Sequence, residues 1–355
     1  MEEDLQSANG LQAFALGLNK RLADDAGRSG NLVYSPLSVY AALSLVAAGA
    51  RERTLNELRS ASSAHLHATS SPTTSVGSPI RPSPTSPTPA GRASASRAAC
   101  GMTELFPSAP PTVRLLHSRT RPSRVPSTSA KRWEKPFKKE RTTEDKFHRL
   151  DGTDVDVPFM RASGRRLLAC HDGFKVLQLR YERGRPLPAQ PAPIYSMCIF
   201  LPDARDGLWR LTGKITSDPD FLREHLPRNN VLVGDLRLPK FKITFSKDVA
   251  RDLQELGVRE AFDQGKADLS DMAEDGPGER RRLALQKIMH KAVIEVNEEG
   301  TEAAAVTAAI MMSGCSAYRP PRVDFIADHP FAFFVIEEVS GAILFTGHVV
   351  DPSVN

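Results

Sequence analysis

Apolar residues recur at Leu11, Phe14, Ala15, Leu18 and Leu22. That three-and-four spacing lines one side of a helix, so the pattern predicts an amphipathic helix ending before Gly27. A short strand follows at Asn31 to Tyr34. Ser35-Pro36 then opens a second helix, because a serine hydroxyl can accept a free N–H of the first turn and proline has none to leave unpaired. Leu37 to Ala48 is apolar nearly all round, which predicts burial, and Gly49 ends it. Thr54 and Glu57 have the spacing of a capping box for a third helix.

Beyond residue 131 the period shortens. Phe174 to Leu179 and Ser196 to Leu201 read as strands, the latter closed by Pro202-Asp203. Val231 to Leu238 and Phe241 to Phe245 read as two more, and Ser246 to Leu256 as a helix with Val249, Leu253 and Leu256 on one face. Leu283 to Val296 is rich in strand-forming positions. Phe331 to Ile336 and Ala342 to Val350 predict a closing hairpin around Ser340-Gly341. Runs of strands with few intervening helices indicate an α+β fold rather than a parallel α/β one.

Between these strands lies a different kind of stretch, Glu298-Glu299-Gly300-Thr301-Glu302 followed by small residues from Ala303, Ala304 and Ala305 to Ala309, and ended by Pro320-Pro321. Small uncharged side chains suit a segment that can enter a crowded sheet. Gly300 permits a backbone conformation that a Cβ would forbid, and the double proline stops any continuous helix or central strand. On composition alone, an Ala-rich surface helix explains the same residues.

Glu298 to Ala305 resembles the proximal hinge of the serpin reactive-centre loop, and Asp328-His329-Pro330-Phe331 with Phe333-Phe334 resembles the serpin signature. Ala332 departs from it. Ala309-Ile310-Met311-Met312, the paired prolines and Gly347 to Pro352 are similar to the plant branch. The resemblance covers roughly 1–61 and 131–355. It implies a serpin fold, helices packed on mixed and antiparallel sheets with an exposed loop at about 298–321. It also implies that a protease cleaves the loop as bait. The freed hinge side then enters the main sheet as a strand and drags the acylated protease with it.

The family's spacing of sixteen residues from Glu298 places the reactive bond at Gly314–Cys315, with Met312 and Arg319 as off-register alternatives. Ser35 and Ser38 match the shutter serines beneath the main sheet, although plain helix capping accounts for them equally. Trp133, in Arg132 to Phe137, matches the breach where the loop first inserts, and His329 matches the shutter histidine. Its alternative is a histidine satisfied by local backbone. His290 and Lys291 read as strand-face residues.

Residues 62–131 break this order. Eleven of the 27 prolines fall here among Ser, Thr and Arg, and Glu104 is the sole acid between Leu58 and Glu134. No period survives, which reads as a basic low-complexity segment. A structureless insert of this length is foreign to a compact domain. Read out of frame, with synonymous codons chosen freely, Arg92 to about Ser129 can encode a passage similar to serpin strands and a helix. The expectation is therefore a frameshifted segment. The third strand of the main sheet and its covering helix, about 50 residues in the family, find no counterpart.

Composition adds exclusions. Net charge is +5 and hydrophobic content 40%, enough for a real core. No apolar run reaches the ~18 residues of a membrane span, and the acidic start MEEDLQSANG is no classical signal peptide. Cytoplasm or extracellular space is the expected location. Cys100, Cys170, Cys198 and Cys315 form no zinc or disulfide spacing. No nucleophile elbow, HExxH or P-loop occurs, so no enzyme, cofactor or metal is expected. Lys135, Lys138, Lys139 and Arg141 read as a solvated face rather than a nucleic-acid site. The expected protein is a monomeric inhibitor of serine or cysteine endopeptidases. The alternative is a non-inhibitory serpin-like protein without its third strand.

Overall fold

The computed structural model describes residues 2–25, 30–63, 131–183, 192–272, 283–301 and 322–354. Segment 64–130, loop residues 302–321 and therefore Glu302, Ala303, Ala304, Ala305, Gly314 and Cys315 lie outside the described residues.

Three helices open the chain: α1 (Glu2–Asp25), α2 (Pro36–Ala48) and α3 (Glu52–Ser63), with strand β1 (Leu32–Tyr34) between the first two. Phe14, Leu18 and Leu22 of α1 meet Val39, Leu43 and Val46 of α2 in one apolar cluster. Tyr34 closes it, donating its hydroxyl to the Ala15 carbonyl at 2.7 Å. Later helices are short: α4 (Leu208–Ser217), α5 (Phe221–His225) and α6 (Ala250–Glu255).

Nine strands form the larger sheet. Its path is β1, β13 (Ile343–Val349), β12 (Phe331–Glu337), β6 (Tyr195–Pro202), β5 (Phe174–Arg180), β4 (Asp154–His171), β7 (Asn230–Pro239) and β11 (Val323–Ile326), with β3 (Thr143–His148) attached to β4. The β7–β11 pair is parallel and the others are antiparallel. Every residue of β6 and β12 is buried, as a strand covered on both faces requires. Alternation sorts the two faces. Cys198, Phe200, Ala332 and Phe334 turn toward Leu208, Leu211 and Ile215 of α4. Met197, Ile199, Phe331 and Phe333 turn the other way, onto a second sheet.

That second sheet has two strands among the described residues, β8 (Phe241–Asp248) and β9 (Met289–Val296), paired from Phe241↔Val296 to Asp248↔Met289. His290, Ala292, Ile294 and Val296 of β9 point inward, and Met289, Lys291 and Val293 outward. The smallest ladder pairs β2 (Lys131–Arg132) with β10 (Gly300–Thr301).

The α+β architecture and the closing hairpin match the sequence pattern; helices α4 and α5 have no counterpart in it, and three further details differ. The expected helix from Ser246 is strand as far as Asp248, because the Asp248 carboxylate accepts the N–H groups of Ala250 and Ile288 and starts α6 only there. Thr54 and Glu57 cap nothing in α3, which begins at Glu52. Thr54 accepts the Asp268 N–H, and Glu57 those of Arg259 and Glu260, tying α3 to the segment after α6. Finally, β3 and β4 went unseen. At 18 residues β4 changes neighbour along its length, pairing β3, then β7, then β5. A bulge between Ala162 and Gly164, with Gly164 at φ 100, bends it midway, so no single alternation runs through it.

Candidate functional site: an anchored hinge at a strand edge

β9 runs straight into Asn297 to Thr301. Asn297 shapes the turn, its side-chain oxygen accepting the N–H groups of Glu299 (3.1 Å) and Gly300 (3.2 Å). Gly300 has φ 145, a region that side-chain-bearing residues avoid. This is the permissive role that the sequence assigns to it.

Three side chains pin the turn. Glu298 is buried and receives Thr142 Oγ1 at 2.8 Å and Lys240 Nζ at 3.0 Å. Burial pushes its carboxyl pKa up, but hydrogen bonds from backbone, Thr142 and Lys240 outweigh burial and hold it below the usual carboxylate value. Glu299 pairs with Lys139 at 2.6 Å on the surface. Trp133, 1% exposed, stacks on Tyr181 at 4.6 Å and donates its indole N–H to the Asn297 carbonyl. Its backbone N–H bonds the Glu299 carbonyl, and that of Phe137 bonds the Glu298 carbonyl. The segment from Lys131 to Phe137 thus clasps the turn from Asn297 to Thr301.

Ser35 behaves as an N-cap, its Oγ accepting the Ser38 N–H at 3.3 Å. Both serines also meet a histidine, and it is His290 of β9 rather than His329. The Ser35 N–H donates to His290 Nε2 at 3.1 Å, and Ser38 Oγ lies 3.3 Å from Nδ1. Nε2 must then be unprotonated and Nδ1 carry the proton, so the ring is neutral. Burial agrees, lowering its pKa to about 4. His329 donates from Nε2 to the Pro202 carbonyl and sits 2.7 Å from Asp328 Oδ1, bracing the start of β12. The signal for His290 was present, since alternation along Met289–Val296 places it on the inward face with Ala292 and Ile294. Thr142 and Lys240 carried no sequence signal at all.

A bait loop would enter beside β9. Of β9's two edges, one is laddered to β8; on the other, the described residues supply no strand, and the facing segment contributes only the two residues of β2.

The Serpin family model, described as serine protease inhibitor, matches residues 9–78 and 130–352. This chain belongs to the serpin family. Among plant relatives, Serpin-Z2B of rice is 42% identical over 412 aligned positions, covering 99% of each protein. Serpin-Z2A of rice is 39% identical over 435 positions, again covering 99% of each. The serpin fold is seen directly in the structure titled Arabidopsis AtSerpin1 in its native stressed conformation, with a TM-score of 0.69, 24% identity and 99% coverage of both chains. Since 412 aligned positions exceed the 355 residues of this serpin, at least 57 positions of the Serpin-Z2B alignment face no residue here.

Proposed function

We propose that this serpin acts as a suicide substrate of a serine endopeptidase, with Gly314–Cys315 as the reactive bond and residues 298–305 as the hinge. The observation behind this reading is that the hinge leaves the end of β9 on the side of a strand edge that has no laddered neighbour among the described residues. A strand added there gains main-chain hydrogen bonds worth on the order of 1 kcal/mol each, and a dozen can drive a large rearrangement. Gly314 offers no side chain to a primary specificity pocket, so an elastase-like protease with a small pocket is the expected target. Cysteine endopeptidases are the second class.

A second reading, a serpin that is cut without trapping its protease, has one observation in its favour. An inserted strand needs a neighbour on each side, and among the described residues the far side is represented by Lys131–Arg132 alone. Incubation with elastase-, chymotrypsin- and trypsin-like proteases separates the two. A detergent-stable covalent complex, cleavage mapped to Gly314–Cys315 and a cleaved chain that melts at higher temperature are expected. Clipping without complex or thermal gain would overturn the inhibitor in favour of the substrate.

A further inference from the structure

Four Asp-Gly pairs and one Asn-Gly pair occur in the chain: Asp151–Gly152, Asp172–Gly173, Asp206–Gly207, Asp275–Gly276 and Asn9–Gly10. At such pairs a main-chain nitrogen can attack the side-chain carbonyl group before it, because glycine carries no side chain to shield that nitrogen. For aspartate, the attack needs a neutral carboxyl group and an amide N–H that is not already engaged. The fold grants these to the pairs unequally. Asp275–Gly276 lies outside the described residues. Gly10 falls inside α1, where an N–H beyond the first turn belongs to the helix ladder.

Two of the remaining pairs are held. Gly152 donates its N–H to the Arg149 carbonyl at 3.2 Å, and the Asp151 carboxylate accepts the N–H and the hydroxyl of Thr153 at 2.9 and 2.6 Å. Those bonds, the hydroxyl's first, keep the Asp151 carboxyl below its usual pKa and so ionised. Gly207 donates to the Ala204 carbonyl at 2.9 Å and is buried just before α4. Neither device holds Asp172–Gly173. It is the two-residue tip between β4 and β5, closed by the pair His171↔Phe174. Both residues are exposed. Among the described residues, the Asp172 carboxylate has no hydrogen bond or ion pair, and the Gly173 N–H has no acceptor.

We propose that Asp172–Gly173 is a site of spontaneous isoaspartate formation, and that its conversion loosens the β4–β5 hairpin. The Gly173 nitrogen attacks Cγ of the protonated Asp172 carboxyl group. The N–Cγ bond forms as the carboxyl hydroxyl leaves with the amide proton as water, giving a cyclic imide. Water then opens either imide carbonyl, restoring aspartate or leaving the main chain routed through Cβ and Cγ. No atom is gained or lost overall, and nothing is oxidised. The product lengthens the backbone at a tip that has little slack. The Gly173 carbonyl accepts the Asp203 N–H at 3.0 Å, and Phe174 is buried with its ring stacked on Phe200 and Phe221.

The test is to age the full chain at neutral pH, folded and in urea, and to map isoaspartate by electron-transfer fragmentation of its peptides. Methyl transfer from S-adenosylmethionine by an isoaspartate methyltransferase is the second readout. In the folded chain, isoaspartate is expected to accumulate at Asp172 several times faster than at Asp151 or Asp206. In urea the three rates should converge, because the bonds that hold Gly152 and Gly207 are gone. Asp172→Glu, whose longer side chain would have to close a larger ring, should remove the signal and leave the circular dichroism unchanged. The converted fraction, separated by chromatography, should melt below the fresh chain. No isoaspartate at Asp172 in the folded chain, equal rates at Asp151 and Asp206, or a converted fraction that melts with the fresh chain would each overturn the proposal.

Discussion

The nine-stranded sheet and the β8–β9 sheet of this serpin are built to different standards. In the nine-stranded sheet, β12 and β6 are flanked on both edges by antiparallel partners and covered on both faces. In the β8–β9 sheet, β9 has one laddered edge among the described residues and an outer face carrying Met289, Lys291 and Val293. The first arrangement resists change, since any shift breaks ladders on two sides. In the second, the edge of β9 away from β8 has no laddered strand among the described residues, at the end where the chain continues toward residues 302–321. The difference separates a scaffold from a part that can accept something new.

Acid should expose the contrast most strongly, because each sheet buries one neutral histidine with a pKa lowered to about 4, His348 in β13 and His290 in β9. Both folded values lie below the unfolded value of about 6.5. Their stability contribution is therefore complete above pH 6.5 and lost as pH falls toward 4. The loss should approach about 3 kcal/mol for each group. Urea unfolding at pH 7 and pH 4 measures it, and His290→Gln should remove about half of the difference. Protonating His290 also ends its role as acceptor for the Ser35 N–H, so exchange of that amide should quicken in acid.

A Cβ at Gly347 in β13 would be driven into the Leu32 carbonyl oxygen and crowd Phe333. Gly347→Ala should cost ~3 kcal/mol in chemical unfolding. Val293→Thr on the open face of β9 should change little, and a large effect there would mean that its surface is covered. At the hinge, Glu298→Gln keeps the shape but loses the charge facing Lys240. It should cost about 1–2 kcal/mol and raise the rate at which proteases cut the loop. Lys139→Ala removes only the exposed partner of Glu299, and no shift in thermal midpoint is expected.

How far the sequence reached follows the same division. Strands buried on both faces announce themselves as apolar runs, and Ser196 to Leu201 and Phe331 to Ile336 were legible for that reason. β4 was not, because a strand with three successive partners and a bulge has no constant inward side. The hinge turn was legible through Glu298 to Thr301, whose order is specific. The pins Thr142 and Lys240 were invisible, lying 156 and 58 residues from Glu298 in sequence. His329 draws notice because it sits in a recognisable motif, whereas His290, in no motif, is the histidine that meets Ser35 and Ser38. His290 holds that place because strand geometry, not motif, aims it there.

The bent strand β4 has a further implication for how this molecule comes apart. β7, β11 and β3 reach β5 only through it, so a single 18-residue segment is the seam joining two halves of the larger sheet. A nick near Gly164 would break the covalent seam, but β7 is laddered to β4 on both sides of the cut, so the sheet should still melt in one transition, at a lower midpoint.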